Sequence, residues 1–142
     1  MGTRSLTYVY TEGREFDGKI YLPRPIVCMY RQFDGYPEGH GADLAEFLDG
    51  FRIVNGLGLD KPTKTANGMG CLAAQIIAHF KTEAGQFYME EPRLKQDCGQ
   101  EYEYQVYEDK VEIYKNWPSE TTIFSGTYAE LKEFCKEQER AI

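Results

Sequence analysis

The residues best suited to binding chemistry lie in a glycine-rich loop, residues 31–41, which follows a nearly all-apolar run at residues 26–30. Arg31 stands where that run ends, and its guanidinium offers a fork of N–H donors that suits phosphate or carboxylate groups. Strand ends commonly carry ligand groups in α/β sheets, and glycines let backbone N–H groups approach a ligand closely. The loop therefore predicts a small-ligand site, the alternative being an ordinary Asp-Gly turn. The candidate residues are Tyr30, Arg31, Gln32, Asp34, Tyr36 and His40.

A second glycine-rich segment, Asn67-Gly68-Met69-Gly70, opens a predicted helix. Asn67 is a favourable N-cap, and the helix dipole favours an anion beside the open N–H groups. Lys61 and Lys64 in the preceding loop would add positive charge. The segment lacks the Lys-Ser/Thr of a P-loop and the third glycine of a dinucleotide fingerprint. We expect these four residues to contribute to the ligand site, the alternative being simple helix capping and close packing.

Arg4 lies in the first predicted strand, between Thr3 and Ser5. If that strand neighbours the apolar strand, Arg4 would reach the same site as Arg31; otherwise Arg4 is a surface residue. An anionic ligand would then meet two arginines and the aromatic rings of Tyr30 and Tyr36, which would stack on a base or sugar.

Catalytic candidates are few. His40 beside Asp34 would serve as a base. Cys71 stands at the start of the second predicted helix, where helix N-termini stabilise thiolates, and it would form a Cys–His pair with His40 if the two loops meet. The four cysteines are far apart and no C-x-x-C pair occurs, so we expect reduced thiols and no metal. We expect no cofactor.

The elements that must position these residues indicate an α+β fold in one domain spanning residues 1–142. Residues 3–11 alternate as a strand does, and residues 101–108 alternate strictly. Apolar residues recur at helical spacing over 41–51 and in the segment after residue 70, and Thr-Tyr-Ala-Glu from Thr127 is a capping box. We predict a mainly antiparallel sheet of five or six strands with two or three helices packed against it.

Composition excludes several function classes. The 142 residues include 14% aromatic side chains, which disfavours disorder, and no apolar run approaches the length of a membrane span. The net charge of −7 disfavours binding to a nucleic acid polymer. Residues 86–142 carry a net −6 whereas residues 1–40 are neutral, so an anionic ligand fits the first 85 residues better. The N-terminus has no signal-peptide pattern, and we expect a cytoplasmic protein.

The motifs Met1-Gly2-Thr3-Arg4-Ser5, YRQFDGYPEGHG and NGMGCLAA together resemble a family of small uncharacterised proteins of bacteriophages, prophages and bacteria. The resemblance covers about residues 1–85. It implies a phage-type accessory protein working in the host cytoplasm, and such proteins often counter host defence, for example by sequestering a nucleotide second messenger.

Three hypotheses follow from the sequence. The first is a protein that binds a small anionic, nucleotide-like ligand and sequesters a host-defence signal. The second is a protein–protein inhibitor that uses its acidic C-terminal half, with the tyrosine-rich hairpin 101–114 and Trp117 as further interface residues. The third is a phosphoesterase-like enzyme acting on a nucleotide, with His40 or Cys71 as the reactive group. We favour binding over catalysis, and a homo-oligomer stays open because small binding proteins often build pockets between chains.

Overall fold

The computed structural model describes residues 2–58 and 63–141. Within these ranges the chain forms the predicted α+β fold, with three α-helices and a six-stranded, mainly antiparallel sheet. The strands are β1 (Ser5–Tyr10), β2 (Arg14–Phe16), β3 (Lys19–Tyr21), β4 (Pro25–Arg31), β5 (Arg52–Val54), β6 (Thr65–Asn67), β7 (Phe87–Glu90), β8 (Tyr102–Val106), β9 (Val111–Lys115) and β10 (Thr121–Gly126). The helices are a π-helical turn (Pro37–Gly41), α1 (Ala42–Leu48), α2 (Gly68–Phe80) and α3 (Tyr128–Arg140).

Strand β1 lies at the centre of the sheet, whose strand order is β10-β9-β8-β1-β4-β7. All six residues of β1 are buried. β1 runs antiparallel to β4 on one side and parallel to β8 on the other. The N-terminal end of β1, the C-terminal end of β4 and the N-terminal end of β8 therefore meet at one end of the sheet, and Ser5 pairs with both Arg31 and Tyr102.

The two faces of the sheet are covered differently. On the helix face, Val9 and Met29 join the main core with residues of α1, α2 and α3. On the opposite face, Leu6, Tyr8 and Cys28 form a smaller cluster. The segment 91–101 covers that cluster, because the Tyr8 hydroxyl donates a hydrogen bond to the Arg93 carbonyl at 2.9 Å. Side chains that alternate along β1 and β4 thus enter two separate environments.

Three segments differ from the sequence prediction. Residues 12–18, whose sequence EGREFDG indicates a turn, include β2, which pairs with β3 in an exposed hairpin. Residues 54–67 show no periodicity, which indicates an irregular loop, but this segment ends in β6, which pairs in parallel with β5. The helix predicted over 41–51 is shorter, because the π-helical turn precedes it and α1 ends at Leu48. The first two differences arise because short segments pair as strands, and the third arises because the π-helical turn replaces the first turn of the predicted helix.

Candidate functional site

Arg31 is the most constrained charged residue of the predicted site. Its position at the end of β4, on the helix face, leaves the residue only 6% exposed. Its Nε donates a hydrogen bond to the Phe33 carbonyl at 2.8 Å, and its Nη1 lies 2.8 Å from Asp43 Oδ2 and 3.1 Å from His40 Nδ1. The guanidinium also lies over the Phe87 ring, 5.1 Å from its centroid. Arg31 is therefore held in one orientation by four groups.

His40 is fully buried in the π-helical turn. Arg31 can only donate hydrogen bonds, so His40 Nδ1 must be the acceptor and Nε2 must carry the proton. Nε2 then donates to Thr7 Oγ1 at 2.7 Å. Burial, reinforced by the neighbouring Arg31 charge, lowers the pKa of His40 to about 3. His40 is a neutral imidazole, and both of its ring nitrogens form hydrogen bonds within the protein. Neither nitrogen is therefore free to accept a proton from a substrate.

The predicted contact of His40 with Asp34 exists only through the backbone, where the His40 N–H donates to the Asp34 carbonyl at 2.7 Å. The Asp34 carboxylate instead accepts a hydrogen bond from the Tyr36 hydroxyl at 3.2 Å, and both side chains lie near the surface of the loop. Asp34 adopts a φ of +59°, a conformation that Asn and Asp tolerate better than most residues. His40, Asp34 and Tyr36 are therefore held by hydrogen bonds within the loop itself.

An open cleft of about 600 Å³ lies beside Arg31, between α1, the end of α2 and the segment that enters β7. We call it the Arg31 cleft. Its aromatic lining is Phe47, His79, Phe80 and Phe87, and its charged lining, besides Arg31, is Asp43, Glu46 and Lys64. Lys64 Nζ donates to the carbonyls of Glu46 and Asp49, at 3.0 and 2.7 Å, and so caps the end of α1. The cleft combines ring faces with one buried cation.

Arg4 and Arg31 lie at the same end of the sheet, as adjacent strands require, but on opposite faces. Arg4 packs against Gly99 in the segment that covers the second face. Tyr30 also faces that side, where its ring lies 6.0 Å from the ring of Tyr88. Gln32 contacts the β7 side through its backbone N–H, which donates to the Gln86 carbonyl at 2.9 Å. Of the loop candidates, Arg31 is the one that lines the Arg31 cleft.

The glycine-rich start of α2 lies far from Arg31. The last residues of α2, His79 and Phe80, line the Arg31 cleft, and a helix of this length separates its two ends by about 20 Å. A Cβ added to Gly68 would lie 3.0 Å from Glu12 Oε2, so a carboxylate already stands beside this helix start. The structure does not bring the two glycine-rich segments together.

The remaining residues of this segment have local roles. The Asn67 side chain makes no cap hydrogen bond; its Oδ1 accepts from the Gly56 N–H at 2.7 Å. Met69 is buried in the main core, and Gly70 is exposed. Cys71 Sγ donates to Gln75 Oε1 at 3.3 Å. Cys71 lies in the first turn of α2 and His40 packs against Phe80 in the last, so the two residues do not form a pair. Lys61 lies outside the described residues.

A larger cavity of about 960 Å³, which the sequence did not indicate, opens on the other side of the sheet. We call it the Trp117 cavity. It lies between the segment 95–101 and the chain between β9 and β10. The pairing of Glu101 and Glu103 in the alternating segment 101–108 indicates solvated charges, but Glu103 is only 9% exposed and lines this cavity. Glu103 lies on the polar side of the alternation in β8, and the polar segment 95–101 that immediately precedes this strand folds back over it.

The hairpin β2–β3 exposes a set of large apolar side chains. Phe16 and Ile20 of the hairpin are 72% and 75% exposed, and Leu22, which directly follows β3, is 78% exposed. Exposed apolar patches of this kind mark interaction surfaces. No motif in the sequence indicates a role for this segment.

Comparisons of the chain with protein-family models, with curated proteins and with solved structures found no match. Across residues 2–58 and 63–141, no group of three or more His, Cys, Asp or Glu side chains is arranged to hold a metal ion. In the same ranges, no helix has the length and apolar character that crossing a bilayer requires.

Proposed function

We propose that this protein binds a small anionic ligand with a planar ring, of which a nucleotide is an example, in the Arg31 cleft. The observation that carries the proposal is the state of Arg31, a buried guanidinium that lines an open cleft. Its three hydrogen bonds use Nε and Nη1, and no hydrogen bond within the described residues uses Nη2. A buried cation with an uncommitted N–H group is suited to receive an acidic group from solution.

The size and lining of the cleft support the same proposal. Pockets for small molecules commonly enclose 300–1,000 Å³ and combine apolar walls with a few polar groups, and this cleft has about 600 Å³. The ring centroids of Phe47 and His79 lie 4.7 Å apart, and those of Phe80 and Phe87 lie 5.4 Å apart. A planar ring would stack there while its acidic group reaches Arg31 and displaces Asp43, which is half-exposed.

Sequestration rather than turnover is the activity we propose. His40 holds both ring nitrogens in hydrogen bonds to Arg31 and Thr7, so it orients the guanidinium instead of moving protons. A phage-type accessory protein, as the resemblance implies, would use such a cleft to withdraw a nucleotide signal of the host cell's defence.

The proposal is tested by titrating the protein with adenosine 5′-monophosphate, adenosine and inorganic phosphate in a calorimeter. We expect the nucleotide to bind more tightly than either fragment, because only it engages the rings and the guanidinium together. Arg31→Lys keeps the positive charge but loses the paired N–H donors of the guanidinium. We expect this variant to bind the nucleotide about tenfold more weakly. The matched control is Arg52→Lys, at the exposed first position of β5, which should bind like the wild type. Equal affinity of the wild type and Arg31→Lys would count against the proposal.

Native mass spectrometry of the protein purified from its host complements the titration. It reports the oligomeric state and any ligand that co-purifies, and denaturation then releases that ligand for identification. Release of an unchanged phosphorylated compound supports binding. Release of a hydrolysed product favours the enzyme hypothesis instead.

A protein partner is the second candidate function, and the exposed apolar hairpin β2–β3 favours it. The acidic C-terminal half, at net −6, would occupy a basic surface of that partner. Charge reversal is best made at Glu101 and Glu108, which are exposed, and not at the buried Glu103. Unchanged binding of a captured partner by the double variant would exclude a role for this acidic surface.

A further inference from the structure

The Trp117 cavity holds a buried carboxylate that has no countercharge. Glu103 is 9% exposed, and no Lys, Arg or His side chain in the described residues forms an ion pair with it. Its one hydrogen bond comes from Gln100 Nε2, which donates to Oε1 at 2.9 Å. Buried charged groups in proteins are normally paired, and Oε2 has no hydrogen-bond partner among the described residues.

A second buried acceptor lines the same cavity. Gln96 is 8% exposed, and its amide nitrogen is used in bonds to the carbonyls of Glu91 and Arg93, at 2.6 and 2.9 Å. Its amide oxygen has only the thiol of Cys98, at 3.8 Å, and a thiol is a weak donor. The floor of the cavity therefore presents acceptors that lack strong donors.

The wall of the cavity adds an aromatic face. Trp117 lines the cavity and is 72% exposed. Indole is the side chain that attracts cations best through its ring face. The charged lining otherwise consists of Lys95 and Lys115 against Asp97, Glu101 and Glu120, so with Glu103 the lining carries two more negative than positive charges.

From these observations we infer that the Trp117 cavity binds an organic cation, a guanidinium or alkylammonium group, which pairs with Glu103 and lies against Trp117. The cation supplies the donors that Glu103 and Gln96 lack and neutralises the buried charge. Its source is either a free small molecule or an arginine or lysine side chain of a partner protein. This site is separate from the Arg31 cleft, so the inference does not depend on the proposed function.

The chain provides its own reporter, because Trp117 is its single tryptophan. We would titrate the wild type with n-butylguanidinium and with Nα-acetylarginine methylamide, following tryptophan fluorescence. The neutral matched probes are n-butylurea and Nα-acetylcitrulline methylamide, which keep the shape and remove the charge. We expect a saturable change with the cations and about tenfold weaker binding, or none, with the neutral probes.

Glu103→Gln is the matched variant, because it keeps the shape of the side chain and removes its charge. We expect it to weaken cation binding about tenfold, whereas Glu139→Gln, at an exposed position of α3, should bind as the wild type does. Equal affinity of the wild type for the charged and neutral probes overturns the inference. This comparison uses only the wild type, so it does not depend on whether the variant folds. Preference for the arginine derivative over butylguanidinium identifies a protein side chain as the source; equal or weaker binding of the derivative identifies a free cation.

Discussion

The buried His40 makes the stability of this protein depend on pH in a window where few other groups titrate. In the unfolded chain the pKa of a histidine is about 6.5, whereas burial beside Arg31 lowers the pKa of His40 to about 3. Between these values the unfolded chain binds a proton that the folded chain does not. Protons therefore favour unfolding, and the stability present above pH 6.5 is lost as the pH falls toward 3.

The magnitude follows from the two pKa values. At pH 7 the unfolded imidazole is mostly neutral, and at pH 5 it is almost fully protonated, so the free energy of unfolding should fall by about 2 kcal/mol between these two values. Carboxylates contribute little in this interval because the ordinary pKa values of Asp and Glu lie near or below 4.3. The change in the free energy of unfolding between pH 7 and pH 5 should therefore come mainly from His40.

The assay is urea unfolding followed by far-UV circular dichroism at pH 7, 6 and 5. His40→Gln removes the titrating group and retains an amide that reaches Thr7 or Arg31. We expect this variant to be less stable at pH 7 by about 1–3 kcal/mol, for the hydrogen bonding it loses, and its stability to be nearly independent of pH. His79→Gln, at an exposed position, should retain the wild-type dependence. A wild type whose stability is the same at pH 7 and 5 would refute the reasoning.

Further predictions concern packing, capping and the exposed hairpin. Gly35→Ala should lower the free energy of unfolding by about 1–3 kcal/mol, because its Cβ would lie 2.8 Å from Ser5 Cβ; an unchanged melting temperature would contradict this. Gly70→Ala should raise stability by up to about 1 kcal/mol, since a Cβ there has no neighbour within 4 Å, and should leave nucleotide binding intact. Thr127→Ala should cost about 1 kcal/mol in urea unfolding by removing the cap of α3. Phe16→Ser should change stability by less than about 0.5 kcal/mol but weaken any association seen by analytical ultracentrifugation, and unaltered association would exclude the hairpin.

Local patterns in the sequence predicted the elements well. The alternation over 101–108 places Tyr104 and Val106 in the main core, as the structure confirms. The capping box is also confirmed: the Glu130 N–H donates to Thr127 Oγ1 at 3.2 Å, and the Thr127 N–H donates to Glu130 Oε1 at 2.9 Å. These signals are readable because each depends on residues only a few positions apart.

The arrangement of the candidate site depended on contacts that no local pattern encodes. Arg31 and Gly68 each carry a binding signal in their own segment, but strand order and helix direction place them at opposite ends of α2. Glu103 occupies the polar side of an alternating strand, yet the segment 95–101 folds over it. The first outcome is set by packing between segments that are distant along the chain, and the second by the irregular path of the segment just before β8; propensity and spacing report neither.

The central position of β1 has a consequence for how the chain acquires its structure during synthesis. Its antiparallel partner β4 follows within about twenty residues, but its parallel partner β8 pairs with it across about a hundred. A nascent chain that has formed the β1–β4 pair therefore presents an open edge at β1 until β8 has been made. Leu6 and Tyr8, which the segment 91–101 covers in the finished fold, also stay accessible until that segment has been made, in the interval in which chaperones act and aggregation competes with folding.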